Sequence, residues 1–203
     1  MKIGIITFTS AGYQLGESLC EKLQAVGHKT ELFRCGKDML NDWTSRHFAT
    51  DDALVFIGAT GIAIRAVAPY LKSKTSDPAV VVIDELGRFV IPLLAGHIGG
   101  ANRLAQNLAK LLEAIPVVTT ATDCNNVFAI DTWASENEIS IINPEGIKQI
   151  SAKLLAGKTV NIKSYFPVKG KLPNGLRISD VDYDVIFTAY TTGESNVLRL
   201  IPP

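Results

Sequence analysis

The 203-residue sequence has few cysteines, no excess of either charge and no long apolar run. Cys20, Cys35 and Cys124 are far apart and form no CxxC motif, so we predict neither a disulfide framework nor a zinc site and treat all three as small apolar residues. Because 20 Lys and Arg residues balance 20 Asp and Glu residues, no overall field favours nucleic acid or an anionic membrane as a partner. No apolar run approaches the ~20 residues of a membrane span and the first strand begins next to Met1, so we expect a cytoplasmic protein.

Two nucleotide-binding motifs are also missing. GATGIA at 58–63 lacks the GK[ST] of a P-loop, and SAGYQLG at 10–16 lacks the GxGxxG of a dinucleotide fold. These absences disfavour an oxidoreductase. The hydrophobic content of 47% is nevertheless ample for a packed core.

Apolar runs alternate with helical patterns along the first part of the chain. The runs from Lys2 to Thr7 and from Ala53 to Ile57 predict buried strands, and helical spacing follows each of them. Such alternation predicts a three-layer α/β fold, in which a mainly parallel sheet has helices on both faces. The runs from Ala79 to Asp84 and from Phe89 to Leu94 predict one antiparallel hairpin, whose Pro92 places the second strand at an edge or a bulge.

The pattern of predicted elements changes after Asp131. Helical patterns and short strands there surround a loop rich in Pro, Gly and Lys, FPVKGKLPNG at 166–175. We predict a boundary where NPEG at 143–146 breaks the chain. A glycine-rich-loop α/β domain with the candidate active site then spans 1–143, and a smaller α/β domain spans 144–203.

Four clusters rich in glycine or hydroxyl residues follow predicted strands. In a parallel sheet, ligands bind at the carboxyl ends of the strands, where glycines leave helix N–H groups open to carboxylate or phosphate. The sequence therefore predicts an anionic ligand at one edge of the sheet; the alternative is that the glycines only shape turns. The clusters lie at 7–11, 58–61, 95–102 and 119–123.

His97 is the only histidine in a glycine-rich loop, whereas His28 and His47 are predicted at the surface. With an ordinary pKa of ~6.5, an imidazole can transfer protons near neutral pH. The alternative is a histidine that bonds the backbone of its own turn. Asp84 and Glu85 are either residues of an ordinary hairpin turn or carboxylates that face the same cleft as His97 and orient it or activate water.

The ordered motifs GATGI, DPAVVVIDE, GHIGGAN and TTATD, between residues 57 and 123, resemble the central block of the CbiG family, the cobalt-precorrin-5A hydrolases of anaerobic cobalamin biosynthesis. The resemblance implies hydrolytic opening of the δ-lactone of cobalt-precorrin-5A, with release of acetaldehyde, to give cobalt-precorrin-5B. It also implies that the protein has no cofactor of its own, since cobalt arrives inside the macrocycle. Family members usually continue beyond the position of Pro203 into a carboxyl-terminal domain.

Together with the residues, the resemblance leads to one hypothesis for the site. His97 acts as general base for the water that attacks the lactone carbonyl, or as acid–base partner in the retro-aldol-type release of acetaldehyde, and Asp84 or Glu85 orients it. The amides of Gly99 and Gly100 hold the developing oxyanion or a peripheral carboxylate. The predicted substrate-binding residues are Gly58, Thr60, Gly61, Arg65, Gly96, Gly99, Gly100, Asn102, Thr120 and Asp123.

The expected partner is a cobalt-corrinoid intermediate, and neither nucleic acid nor a membrane is expected. A carboxyl-terminal domain, other enzymes of the cobalamin pathway and a second copy of the chain are further candidates. The alternative function is a non-catalytic corrinoid-binding module that presents the intermediate to another domain or enzyme.

Overall fold

The computed structural model describes residues 1–73, 76–193 and 196–203. Its contacts divide the chain into two compact units, Met1–Val118 and Thr119–Pro203. Each unit has a sheet and helices of its own.

The first unit is built on a six-stranded sheet. Its strands are β1 (Lys2–Thr7), β2 (Lys29–Arg34), β3 (Ala53–Ile57), β4 (Ala79–Ile83), β5 (Phe89–Leu94) and β6 (Ile115–Pro116). Their order in the sheet is β2-β1-β3-β4-β5-β6. The first four strands are parallel, β5 is antiparallel to β4, and β6 is parallel to β5. The predicted mainly parallel sheet with one antiparallel hairpin is confirmed.

Helices cover both faces of this sheet. They are α1 (Ser10–Ala25), α2 (Leu40–Thr50), α3 (Thr60–Val67) and α4 (Ala101–Leu112). Leu19 of α1 and Leu108 of α4 pack on one face, and Trp43 of α2 and Val67 of α3 pack on the other. β3 and β4 are buried along their whole length, as continuous apolar strands between two helical layers should be. The predicted three-layer arrangement is therefore confirmed.

The second unit has a smaller, five-stranded sheet. Its elements are α5 (Ala121–Cys124), α6 (Ile130–Glu136), β7 (Ser140–Ile141), α7 (Ile147–Leu155), β8 (Val160–Ser164), β9 (Leu176–Ile178), β10 (Val185–Phe187) and β11 (Leu198–Ile201). The order is β7-β11-β10-β8-β9, and only β7, among the described strands of this sheet, is antiparallel to its neighbour.

The two units meet earlier in the chain than the predicted boundary at 143/144. β7 precedes that position, yet it pairs with β11, and α6 packs against α7. Because an edge strand and a helix before 143 complete the second sheet, the division falls between Val118 and Thr119.

The three cysteines differ in their surroundings. Cys20 is buried, Cys35 is partly buried and Cys124 is exposed, so Cys124 does not contribute to the core. Burial raises the pKa of the Cys20 and Cys35 thiols above the ordinary value. Both side chains are therefore protonated near neutral pH.

Candidate active site

Two of the predicted clusters lie at the carboxyl edge of the parallel strands. Residues 7–11 connect β1 to α1, and residues 58–61 connect β3 to α3. β1 and β3 are neighbours in the sheet, whereas α1 and α3 lie on opposite faces of it. This place is the topological switch point of the sheet, where ligands of α/β proteins commonly bind.

The 58–61 turn combines one crowded glycine with one open glycine. The Phe8 ring covers Gly58, and a Cβ added at Gly58 would lie 2.7 Å from the ring. The Gly58 N–H donates to the Ile83 carbonyl at 2.9 Å, which ties the turn to β4. A Cβ at Gly61 would meet no atom within 4 Å. α3 begins at Thr60 without a side-chain cap, so its first N–H groups can receive an anion.

Arg34, at the end of β2, is a cation that the sequence reasoning missed. Its Nη2 donates to Ser10 Oγ at 2.9 Å, beside the first residue of α1. The predicted cation, Arg65, is exposed on α3. The position of Arg34 follows from the pairing of β2 with β1, which the linear pattern does not reveal.

Asp84 and Glu85 form the turn of the β4–β5 hairpin at the same carboxyl edge. Asp84 accepts hydrogen bonds from the N–H groups of Arg88 and Phe89 at 2.7 and 2.6 Å. Burial alone would raise the pKa of Asp84, but these backbone bonds outweigh it and hold the pKa below its ordinary value. Glu85 Oε1 accepts from Thr9 Oγ1 at 2.5 Å. Both carboxylates thus hold local structure together.

The loop that contains His97 lies at the opposite edge of the sheet. Because β5 is antiparallel to β4, Leu94 pairs near the start of β4, and the chain leaves β5 at the amino edge of the parallel strands. Gly99 accordingly lines the same surface depression as Asp52 and Pro78, which directly precede β3 and β4. Among the described residues of the first unit, the clusters at the two edges therefore form no single cleft.

The predicted pairing of Asp84 or Glu85 with His97 is consequently wrong. The two carboxylates follow the last residue of β4, whereas His97 lies beyond the end of β5, at the other end of the hairpin. β4 has 5 residues. At about 3.3 Å per residue, that strand separates the two ends by roughly 16 Å, far beyond hydrogen-bond reach.

The His97 loop is closed by its own backbone. Three N–H groups at the start of α4 donate to loop carbonyls, Gly100 to His97 (2.9 Å), Ala101 to Ala95 (3.0 Å) and Asn102 to Gly96 (3.0 Å). The Gly100 amide is therefore used inside the loop and does not point at an oxyanion. That the Gly99 amide holds the developing oxyanion or a peripheral carboxylate stays a prediction.

Packing also constrains the loop. A Cβ at Gly99 would lie 2.3 Å from Ala95 Cβ, so no other residue fits there without a shift. Gly100 has a φ of 79°, which favours glycine. Asn102 is 6% exposed and covers Gly96, where a Cβ would lie 2.9 Å from Asn102 Oδ1. These contacts fix the backbone on both sides of the partly buried His97.

Thr120 and Asp123 belong to the second unit. Thr120 precedes α5, and its carbonyl accepts from Cys124 N at 2.9 Å. Asp123 is exposed within α5. Their assignment as substrate-binding residues stays a prediction.

His47, expected at the surface, is 1% exposed. Its Nδ1 lies 2.6 Å from Asp51 Oδ2, and Lys2 Nζ lies 2.7 Å from Asp51 Oδ1. Its ring stacks on Trp43 with the centroids 4.4 Å apart. Burial alone would raise the pKa of Asp51, but the hydrogen bonds from His47 and Lys2 outweigh it and lower the pKa. Together, Lys2, Trp43, His47 and Asp51 hold α2 against β1. In the sequence, the i,i+4 spacing of His47 and Asp51 was the signal that could have indicated this pair.

Two further features concern metals and membranes. Within the described parts of the chain, no group of three or more His, Cys, Asp or Glu side chains could hold a metal ion. None of the described helices is long and apolar enough to cross a bilayer.

Residues 42–123 match the family model described as "Cobalamin synthesis G N-terminal". This segment, called the CbiG region below, is thus similar to the amino-terminal region of the CbiG family. This CbiG region includes β3, the β4–β5 hairpin, the His97 loop and α4. The resemblance stated from the motifs is confirmed.

Curated relatives carry the name cobalt-precorrin-5A hydrolase. A Salmonella typhimurium protein of this name is 62% identical over 87 residues, which are 43% of this chain and 25% of the relative. A Priestia megaterium protein of the same name is 40% identical over 108 residues, which are 53% of this chain and 29% of the relative. The matched regions thus cover less than a third of these relatives.

A solved structure extends the likeness beyond the CbiG region. The crystal structure described as a cobalamin biosynthesis protein G homolog from Sulfolobus solfataricus is 29% identical and superposes with a TM-score of 0.61. The match covers 99% of this chain and 60% of that chain. The second unit therefore falls within the region of likeness as well.

Proposed function

We propose that this chain carries the acid–base site of a cobalt-precorrin-5A hydrolase of cobalamin biosynthesis. The single observation that carries the proposal is the 62% identity to the Salmonella typhimurium hydrolase over 87 residues. The loop geometry adds support, because packing at Gly99 and Asn102 fixes the backbone around one imidazole. A rigid support of this kind is what a positioned acid–base group requires.

The proposed reaction uses one water molecule. Water adds to the acyl carbon of the δ-lactone, the acyl–oxygen bond breaks, and the ring oxygen leaves as a hydroxyl. Loss of the hydroxyl proton then breaks the bond between the two-carbon unit and the macrocycle. Acetaldehyde departs, and the macrocycle keeps the electron pair and takes up a proton. One substrate and one water thus give the opened corrinoid, cobalt-precorrin-5B, and acetaldehyde.

His97 is the residue proposed to move protons in this sequence. An imidazole can accept a proton from water in the first step and return one in the second near neutral pH. The Gly99 amide is its proposed companion at the developing oxyanion. Asp84 and Glu85 take no part, since they lie at the other end of the hairpin.

The carboxyl edge of the first sheet is not part of this proposed site. β3 and β4, which lie between the edges, are buried along their whole length. A macrocycle bound at His97 therefore does not also contact Gly58, Thr60, Gly61 or Arg65. Cobalt is bound by the substrate in this proposal, and the chain needs no metal of its own.

The test combines product detection with isotope labelling. The purified chain is mixed with enzymatically prepared cobalt-precorrin-5A in ¹⁸O-labelled water, and acetaldehyde is trapped and quantified. The proposal expects one acetaldehyde per substrate and one ¹⁸O atom in the new carboxylate. Binding of the corrinoid without release of acetaldehyde would instead favour a non-catalytic module that presents the intermediate to another domain or enzyme. This alternative is compatible with the matches to the relatives, which cover less than a third of their length.

A further inference from the structure

The second unit encloses a cavity of about 340 Å³. β8 and β9 are parallel neighbours, so the chain between them, 165–175, must return to the starting end of the sheet. The cavity lies between this returning chain, one sheet face and α6. Its lining residues include Ile162 and Ser164 of β8, Ile178 of β9, Phe187 of β10 and Trp133 of α6.

Aromatic rings form one wall of the cavity. Trp133 lies between Phe128 and Phe187, with ring centroids 6.1 and 5.7 Å apart, and the pair with Phe187 is edge-to-face. Such a wall can stack on a flat conjugated ring.

Apolar side chains at the mouth of the cavity are exposed to solvent. Phe166, Val168 and Ile178 are 39%, 50% and 44% exposed, and all three line the same cavity. Large apolar residues that are exposed together, rather than singly, are typical of binding sites.

The charges at the cavity are all positive. Among its described lining residues, Lys169 and Lys171 are the charged ones, and none is Asp or Glu. The hydroxyl of Ser164 already donates to the Phe166 carbonyl at 2.8 Å. An apolar interior with two ammonium groups and no carboxylate is complementary to a flat ligand that carries negative charge.

We propose that this cavity is a binding site for one carboxylate-bearing pyrrole ring of a corrinoid. The ring packs against the edge-to-face pair of Trp133 and Phe187, with its face on one of them and its edge toward the other, and its acetate and propionate groups lie toward Lys169 and Lys171. The volume is at the small end of the range of about 300–1,000 Å³ for ligand pockets, which suits one ring rather than a whole macrocycle. The choice of a tetrapyrrole rests on the proposed function, whereas the anionic aromatic ligand class rests on the cavity alone.

The first experiment measures binding of a single ring. Opsopyrroledicarboxylic acid, a pyrrole with one acetate and one propionate group, is titrated into the full chain by calorimetry. The Trp43→Phe variant leaves Trp133 as the reporter for a parallel fluorescence titration. We expect saturable heat and a saturable change in Trp133 emission. The absence of both would overturn the proposal.

Charge variants test the role of the lysines. Lys169→Gln combined with Lys171→Gln is expected to weaken binding of the diacid about tenfold at low salt, as two partly screened ion pairs would. The matched control combines Lys148→Gln with Lys158→Gln, two exposed positions outside the cavity, and should leave binding unchanged. Equal weakening in both variants, or in neither, contradicts a site at this cavity.

A filled cavity separates this proposal from the proposed function. Leu172→Trp places a bulky ring among the lining residues and should abolish binding of the diacid. Unchanged binding of the diacid by the folded variant would overturn the cavity assignment and leave the hydrolase proposal intact. Lysine-dependent binding of the diacid by a chain that releases no acetaldehyde would support the cavity and count against the hydrolase.

Discussion

Asp84 and His97 lie at opposite ends of one β-hairpin, because Asp84 follows β4 whereas His97 follows the antiparallel strand β5. This relationship decides how the DPAVVVIDE and GHIGGAN motifs, which contain the two residues, are interpreted. Thirteen positions separate the two residues in sequence, 97 minus 84, and both follow strands, yet they serve different edges of the sheet. Asp84 stabilises a turn, and His97 is left as the candidate for proton transfer.

Replacing His97 tests that role. His97→Ala should lower the rate of acetaldehyde release by about 10²–10⁴-fold, the usual contribution of a positioned acid–base group. Circular dichroism and the unfolding midpoint should stay close to those of the wild type. His28→Ala, at a partly exposed position outside the CbiG region, is the matched control and should keep full activity. A folded His97→Ala chain with normal turnover would remove His97 from the mechanism.

Asp84 should behave as a structural residue. Asp84→Ala removes an acceptor of backbone N–H groups and should lower the free energy of unfolding by about 1–2 kcal/mol. Asp84→Asn keeps an acceptor oxygen and should therefore lower the free energy of unfolding less than Asp84→Ala does. Turnover per folded molecule should stay unchanged in both variants, measured alongside urea unfolding. A selective loss of turnover of about a hundredfold, at normal stability, would restore a catalytic role.

The two glycines Gly99 and Gly61 should respond differently to the same change. Gly99→Ala forces a Cβ to within 2.3 Å of Ala95 Cβ and should destabilise the chain by about 1–3 kcal/mol, as overpacking does. Gly61→Ala meets no atom within 4 Å inside a helix and should be neutral or stabilising by up to about 1 kcal/mol. Thermal unfolding of the two variants side by side checks both. Equal midpoints would contradict the close packing of the His97 loop.

Because of the buried pair of His47 and Asp51, the free energy of unfolding should depend on pH in the acid range. The folded-state pKa of Asp51 is lowered. Its contribution to stability is therefore fully present above the unfolded pKa of about 3.9 and is lost as the pH falls through the folded pKa. Asp51→Asn should be less stable than the wild type at neutral pH, and the difference should shrink as the pH falls below about 4.

Urea unfolding of the wild type and Asp51→Asn at several pH values measures this dependence. Glu21→Gln, at an exposed position of α1, serves as the control for a lost surface carboxylate. A constant gap between the wild type and Asp51→Asn across the acid range would show that ionisation of Asp51 does not stabilise the fold.

The elements that the sequence predicts best are those with long apolar runs. β3 and β4 are five-residue apolar segments, and the hairpin after β4 has a clear turn. β9, at Leu176–Ile178, escaped prediction because three residues in a polar stretch carry no period. The division at Val118/Thr119 escaped because β7 joins a strand that lies more than fifty residues later in the chain.

The candidate site could be predicted only in part from the sequence, because its position depends on the direction of one strand. The motifs identify His97 and its glycines, but their edge of the sheet depends on the direction of β5, which reverses the usual rule that strand-following loops share one edge. His47 looked like a surface residue because its neighbours in sequence are polar, whereas the ion pair that Asp51, its hydrogen-bond partner, forms with Lys2 of β1 depends on the fold.

The measurement that tests the central claim most directly is the yield of acetaldehyde when the purified chain meets enzymatically prepared cobalt-precorrin-5A in a single turnover. The claim predicts one acetaldehyde per bound substrate for the wild type and a rate lower by about 10²–10⁴-fold for His97→Ala. A folded wild-type chain that binds the corrinoid and releases no acetaldehyde would contradict it.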